Sequence, residues 1–463
     1  MLKKLFPYKM QLHIFQLEGY DIRRFLVWIS HNFLKRSYIE KKPLVRTSKV
    51  RFISVGAVIS FIVLAAVFVK LLGYFGLVLA LFLSTQTWMF IIMGLLLLKP
   101  YEVINKYRTK RISRAKIRSL KTKGLKVIGI TGSYGKTSVK EFLYQILKGS
   151  FKVLRTPESY NTLFGVAKVV DYELDEYYDF FICEMGAYKI GEIRELCETF
   201  CPDHAILTGI NEQHIERFEK IENTIRAKFE IMQYLDSSGV GLVSGANELV
   251  MENFRKYKEN AVVYGAPGKD YYIKDVVTNR TGSYFELVLA GKSFTATTSL
   301  VGNSNLENIL ATASMACLLG VTPEKIILGI EQLQPVPHRL EIKSTENGLT
   351  VIDDSYNSNI TGFKVALDLL ESFEDMEKIL VTPGIVELGD KTYDTHIDLG
   401  SKANKICDKV LLVGKSDRTI ALQEGIDCKE KVVFIDSLME MPFHIENPQN
   451  SVVLIENDLT ENY

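Results

Sequence analysis

Acidic residues are scarce at the start of this 463-residue chain. Residues 1–126 hold 4 Asp/Glu against 24 Lys/Arg, whereas residues 127–463 hold 51 against 32. A net charge of +1 therefore hides a part near +20 and a part near −19. Charge of either sign is almost absent from Phe52 to Leu98, where Lys70 stands alone, and this excludes a solvated surface segment. Paired cysteines are also lacking. Six are present, at 183, 197, 201, 317, 407 and 428; Cys197 and Cys201 lie four apart, but no second pair completes a zinc set. They read as reduced cytosolic thiols. No internal repeat, low-complexity tract or nucleic-acid motif stands out.

The uncharged stretch is long. At ~1.5 Å per residue, Phe52–Val69 spans about 27 Å and Gly76–Leu98 more. The expectation is two membrane helices joined by a tight turn around Lys70–Gly73. A buried helical hairpin of a soluble domain is the rival reading. Ser84-Thr85-Gln86-Thr87 either breaks the second helix or hydrogen-bonds the first. Lys35, Arg36, Lys41, Lys42, Arg46, Lys49 and Arg51 precede the hairpin; Lys99, Lys106, Arg108, Lys110, Arg111, Arg114, Lys116 and Arg118 follow it. Basic flanks on both sides place both ends in the cytoplasm and favour anionic lipid headgroups over nucleic acid. The expected location is the cytoplasmic (inner) membrane, with the catalytic domains in the cytoplasm. The apolar segment begins too far along the chain for a cleaved signal peptide. Residues 1–50 read as a membrane-surface region and 99–124 as a basic helix leading away from the bilayer.

Residues 129–138 read Gly-Ile-Thr-Gly-Ser-Tyr-Gly-Lys-Thr-Ser. They follow an apolar strand-like run, Leu125–Ile130, and precede helical spacing over Val139–Leu147. A Gly-rich turn in that context aims backbone N–H groups and a helix N-terminus at an anion. Gly132, Ser133, Gly135 and Ser138 would cradle phosphate, Lys136 would reach the β/γ-phosphates, and the Thr137 hydroxyl would bind Mg²⁺. Ile130 occupies the place of the first Gly of the strict pattern.

Beyond Leu125, apolar runs at Val127–Thr131, Phe180–Glu184, Ala205–Leu207 and Val240–Val243 alternate with helical patterns. This predicts a mostly parallel sheet. Tyr271–Val277 and Ser283–Leu289 suggest a small antiparallel addition, and Asn305–Leu319 a helix. The segment Pro335-Val-Pro-His-Arg339 marks a boundary. Leu349–Asp353, Lys378–Pro383, Lys409–Val413, Lys431–Ile435 and Val452–Ile455 then predict a second α/β domain. The fold class is α/β: a P-loop central domain (125–334) and a Rossmann-like C-terminal domain (335–463), preceded by a basic region with a transmembrane hairpin (1–124).

The motif series resembles the Mur ligases, ATP-dependent amide-forming enzymes of cell-wall synthesis. Thr131–Glu141 resembles their nucleotide loop, most closely that of the branch adding D-alanyl-D-alanine to a UDP-N-acetylmuramoyl-tripeptide. Ser159-Tyr-Asn-Thr162 with Gly165, Glu184-Met-Gly-Ala187 with Gly191-Glu192, and Asn211 with His214-Ile-Glu216, Phe218 and Ala227-Lys-Phe-Glu230 follow in order. Gly302, Asn305 and Asn308, then Arg339, Asp353-Asp-Ser-Tyr-Asn357, Glu387-Leu-Gly389 and His396 continue the series. Two features depart from that branch. Residues 1–124 cannot form its soluble UDP-sugar domain, and Ser304 stands where it carries His.

The resemblance implies phosphorylation of an acceptor carboxylate by ATP, followed by attack of an amine on the acyl phosphate. Lys136, His214 and Lys228 would be catalytic. Thr137 and Glu184 would hold a first Mg²⁺ and His214 a second, oriented by a carbamylated Lys228. Without the resemblance, Lys228 reads as an exposed helix lysine. Asn305 and Asn308 would meet the adenine side or serve as helix caps. Arg339, Asp354, Tyr356 and Asn357 would meet the nucleotide from the C-terminal domain, although Asp353-Asp354 also fits a turn. Ser159, Asn161, Thr162, Glu387 and His396 would face substrate. The implied partners are a muramyl-peptide precursor, UDP- or lipid-linked, an amine (dipeptide or amino acid) and membrane lipid. A non-catalytic membrane scaffold and a P-loop transport ATPase are the rival classes; the retained catalytic set argues against the first, and two membrane helices make a poor path for the second.

Overall fold

The computed structural model describes residues 7–32, 44–158, 160–212, 215–236, 238–279, 282–356, 358–386 and 388–457. Ser159, His214, Asn357 and Glu387 lie outside the described residues, as do Lys35, Arg36, Lys41 and Lys42. The chain divides at Arg108/Thr109 into two compact units.

In the first unit, α1 (Tyr8–Leu17) and α2 (Ile22–Asn32) precede α3 (Ser48–Ser84) and α4 (Thr87–Lys121). α3 is interrupted at Gly73, whose backbone (φ 56°, ψ −129°) reverses the chain as only glycine does readily. The two arms then run antiparallel: Lys49 pairs with Glu102 at 2.7 Å, and the Phe61 and Phe90 rings lie 5.4 Å apart. Gly56 and Gly94 let the backbones touch; a Cβ on Gly94 would fall 2.3 Å from the Ile53 carbonyl oxygen. The expected turn is thus present, and the second arm breaks between Ser84 and Thr87. The Thr87 hydroxyl donates to the Gln11 side chain of α1, not to the first arm. Phe15 and Phe25 pack with Ile53, Ile91 and Leu95. α3 and α4 are long and apolar enough to cross a membrane, and Val55, Ile62, Leu72 and Phe75 are exposed.

The second unit begins inside α4, not at Gly124. Ile117 and Leu120 are buried in its core, the Ser113 hydroxyl donates to Asp171 at 3.0 Å, and Lys121 pairs with Asp203 at 3.1 Å. Hydrophobic burial therefore assigns Thr109–Lys121 to the α/β unit, although its sequence reads as a basic spacer.

Six parallel strands form the first sheet, in the order β2-β3-β1-β4-β5-β6. They are β1 (Lys126–Thr131), β2 (Val153–Arg155), β3 (Phe180–Glu184), β4 (His204–Leu207), β5 (Gly241–Ser244) and β6 (Val262–Tyr264). Helices cover both faces: α5 (Lys136–Leu147), α6 (Leu163–Tyr172), α7 (Glu192–Phe200), the short α8 (Ile215–Phe218), α9 (Ile221–Gln233) and α10 (Glu248–Tyr257). The near-continuous apolar strands follow from this two-sided burial. β7 (Tyr271–Asn279), β8 (Gly282–Leu289) and β9 (Lys292–Thr298) form an antiparallel sheet, followed by α11 (Asn303–Leu318) and α12 (Pro323–Glu331).

The last sheet has the order β10-β11-β15-β12-β13-β14, with only β10 antiparallel. Its strands are β10 (Glu341–Ser344), β11 (Thr350–Asp354), β12 (Glu377–Thr382), β13 (Lys409–Val413), β14 (Val432–Ile435) and β15 (Ser451–Glu456). α13 (Ile360–Glu371), α14 (Thr392–Ile406) and α15 (Asp417–Glu424) flank it. The ends of β1 and β3, and of β11 and β15, face the ligand crevice expected at the carboxyl edge of parallel sheets.

Candidate active site

The turn between β1 and α5 needs its glycines. Gly132 (φ 152°) and Gly135 (φ 74°) have positive φ; a Cβ would fall 2.0 Å from Thr208 Oγ1 at the first and 2.6 Å from Asn308 Oδ1 at the second. The Ser133 N–H donates to the Gly209 carbonyl at 2.8 Å, and the Asn211 N–H to Ser133 Oγ at 3.1 Å. The loop is therefore held by β4's continuation. Lys136 Nζ curls back to the carbonyls of Gly132 (2.9 Å) and Ser133 (3.2 Å). Loss of water lowers its pKa to about 8; the Glu184 charge opposes this and the Arg339 charge adds to it.

Glu184 ends β3 and is buried. Thr137 Oγ1 donates to its Oε2 at 3.0 Å and Asn161 Nδ2 to its Oε1 at 3.1 Å. Thr137 and Glu184 thus present hard oxygens beside the phosphate turn. Mg²⁺ takes one or two carboxylates and completes its shell with water and phosphate oxygens, so this donor set fits it.

Lys228 lies on α9 and is buried, not exposed. Its Nζ is 3.5 Å from the Ala187 carbonyl oxygen and 5.9 Å from the Phe218 ring centre. Burial pushes its pKa down to about 7; the nearby Lys136 charge adds to the fall, against Glu192 and Glu184. Lys228, Lys136, Asn161, Ser133, Tyr188 and Phe218 line a cavity of about 40 Å³.

A larger cleft of about 580 Å³ adjoins the other side of the turn, the size of a small-molecule site. Tyr134, Gly135 and Ser138 meet there with Asn305, Glu307 and Asn308 of α11, and with Arg339, Asp354 and Asn359. Arg339 stacks over the Tyr356 ring at 4.1 Å. Asp354 Oδ1 accepts from the Leu340 N–H at 3.1 Å, and burial raises its pKa to about 6 although Arg339 opposes the rise. Asn211 Nδ2 donates to Asn359 Oδ1 at 3.2 Å, and Lys391 pairs with Glu212 at 2.7 Å, joining the two α/β domains beside the cleft.

Several expected site residues take other roles. Gly302 caps α11, while Asn305 donates from inside the helix to the Val301 carbonyl at 2.9 Å; neither asparagine is a cap. Thr162 caps α6, its hydroxyl accepting from the Gly165 N–H at 3.4 Å. His396 is fully buried and neutral, its pKa depressed to about 4 by burial. Its Nε2 accepts from the Ile385 N–H at 2.9 Å and Nδ1 bonds the Thr392 carbonyl, so it shapes the loop rather than facing the cleft.

The residue reasoning missed is Lys140. It is fully buried, 3.5 Å from Glu184 Oε2 and 3.6 Å from Glu141 Oε1. Its signal was its place one helical turn after Lys136, on the same face. Glu230 is a second. Its buried carboxylate accepts from the N–H groups of Gly191 (2.8 Å) and Arg194 (2.9 Å), fixing the start of α7.

A glycine-built strand–turn–helix, a carboxylate on the adjacent strand and a second α/β domain closing over the cleft define a P-loop nucleotide-binding protein. Residues 130–316 match the Mur ligase middle domain, and residues 338–455 the domain described as Mur ligase, glutamate ligase domain. The chain belongs to the Mur ligase family. It is 32% identical over 302 residues to the UDP-N-acetylmuramoyl-tripeptide–D-alanyl-D-alanine ligase of Bacillus subtilis (strain 168), covering 64% of this chain and 65% of that one. The Escherichia coli (strain K12) enzyme of the same name is 30% identical over 307 residues, covering 65% and 67%. The chain thus spans about two-thirds of the length of these relatives. The crystal structure of MurF from Acinetobacter baumannii matches with a TM-score of 0.69 at 26% identity, covering 77% of this chain and 78% of that one.

Proposed function

We propose that this protein is an ATP-dependent amide ligase of cell-wall precursor synthesis that joins D-alanyl-D-alanine to the terminal carboxylate of a muramyl tripeptide. The carrying observation is the convergence of Lys136, Thr137, Glu184 and Lys228 around one turn, in a family whose relatives are named for that reaction.

The γ-phosphoryl of ATP passes to the acceptor carboxylate, giving an acyl phosphate and ADP. The amine then attacks the acyl carbon, phosphate leaves, and the amine loses a proton. Charge neutralisation and positioning dominate such transfers. Lys136 offsets charge on the transferred group, and Arg339, a planar fork suited to phosphate, closes from the C-terminal domain. Asn305, Asn308, Asp354 and Tyr356 hold the nucleotide and Asn161 meets the acceptor; by resemblance Asn357 would join the first group, and Ser159 and Glu387 would contact the acceptor and amine. Thr137 and Glu184 would hold one Mg²⁺, and His214 with carbamylated Lys228 a second. Bound Mg²⁺ neutralises phosphate charge. With its pKa pushed down to about 7, the Lys228 amine is about half neutral at pH 7, and the neutral form adds CO₂ to give a carbamate and release a proton.

The α3–α4 hairpin anchors the chain in the inner membrane with its α/β domains in the cytoplasm, and the basic residues of its flanks meet anionic lipid. That anchor favours a second reading of the acceptor, as a lipid-linked rather than UDP-linked muramyl peptide. Purified protein incubated with ATP, Mg²⁺, D-alanyl-D-alanine and each acceptor should form ADP, phosphate and the ligated peptide. No acceptor-dependent ADP with either would reject the ligase reading, and product from only one would settle the acceptor.

A further inference from the structure

Lys140 is a charged side chain with no exposed surface, and it sits where three parts of the site meet. From α5 its Nζ reaches Glu184 Oε2 (3.5 Å) and Glu141 Oε1 (3.6 Å), and it donates to the carbonyl of Glu158. Burying an ammonium without partners is strongly unfavourable, and these oxygens supply the partners. Glu158 has φ 42°, a strained left-handed conformation for a non-glycine residue. It is the residue whose carbonyl Lys140 holds. Asn161 closes a circuit from the other end of the same loop: its side chain donates to Glu184 Oε1, and its carbonyl accepts from the Gly186 N–H at 2.9 Å.

We propose that Lys140 is a positioning residue that couples the metal-side carboxylate Glu184 to the acceptor loop 156–162. While Glu184 carries no cation, Lys140 shares its charge between Glu184 and the loop carbonyl. A divalent cation arriving with nucleotide draws on Glu184, and Lys140 then turns its bonding to Glu158 and Glu141, tightening the loop. The assignment rests on the ligase reading for the word acceptor, but not for the coupling itself.

Backbone hydrogen exchange of the full-length protein, with and without Mg²⁺ and a non-hydrolysable ATP analogue, tests it. In the wild type, nucleotide should slow exchange in the loop 156–162 about fivefold or more, alongside the turn 132–138. In Lys140→Met the turn should still respond and the loop should respond less than twofold; Lys140→Arg should restore part of the loop response. Asn161→Ala, which removes the other link without burying a mismatched group, should mimic Lys140→Met and decides the matter should the latter fail to fold. An unresponsive loop in the wild type, or an equal response in every variant, overturns the coupling. A responsive loop in a protein that ligates no muramyl peptide would overturn the ligase reading alone.

Discussion

Asp354 and Glu456 are register partners on the adjacent parallel strands β11 and β15; Glu456 is fully buried, Asp354 lines the cleft, and their carboxyls share a hydrogen bond. Glu456 accepts from the Ser358 hydroxyl, and its pKa lies well above the ordinary value through burial and the Asp354 charge. Two acids this close hold on to a proton.

A pH dependence follows. The raised pKa of Asp354, about 6 against an ordinary 3.8, means that the unfolded chain loses this proton first as pH rises. Its contribution to stability is fully present below about pH 4 and is lost as pH rises through 6. Asp354→Asn keeps a neutral group at every pH. The melting temperature of the wild type should fall relative to that of Asp354→Asn between pH 4 and 6, then run parallel above it. A constant offset would exclude a shared proton.

Lys136→Ala should abolish product formation and leave the melting temperature within a few degrees of wild type, because glycines and backbone bonds build the turn. With its pKa near 8 in the free protein, the wild type should also lose ATP affinity as pH rises past 8. Bound phosphate raises that pKa, so the loss should come later at saturating nucleotide. Calorimetric titration across pH 7–9.5 reads both.

Lys228→Ala should remove most of the activity, since the carbamate anion would orient the second metal. Acetate should return part of it by placing a carboxylate in the vacated cavity. Unchanged turnover at saturating ATP and Mg²⁺ would take Lys228 out of the reaction.

Truncation should separate anchor from catalysis, but only at the right place. Deleting residues 1–108 should give a protein that no longer partitions with membrane and still binds ATP. Deleting residues 1–124 also strips Ile117 and Leu120 from the α/β core and should cost stability. Ile117→Ala alone should cost ~2–4 kcal/mol, measured by denaturant unfolding.

Local pattern determined much of this protein. The β1 run, the glycine turn and the apolar period of α5 placed the strand–turn–helix from sequence, because each is set within a few residues. Length and absence of charge likewise fixed the two apolar arms and a turn ending at Gly73. Short strands escaped notice: β2, β6 and β10 carry too few residues for alternation to show, and they exist because a neighbouring strand completes their hydrogen bonds. Tertiary structure alone decided the environments. Without the motif series Lys228 reads as an exposed helix lysine, yet α9 turns it inward; Lys140 carries no local sign of the burial that α5 gives it; and His396, expected at the substrate, is enclosed by the interior. The basic segment after Arg108 became part of the α/β core for the same reason: burial is decided by partners distant in sequence, which no local period reveals.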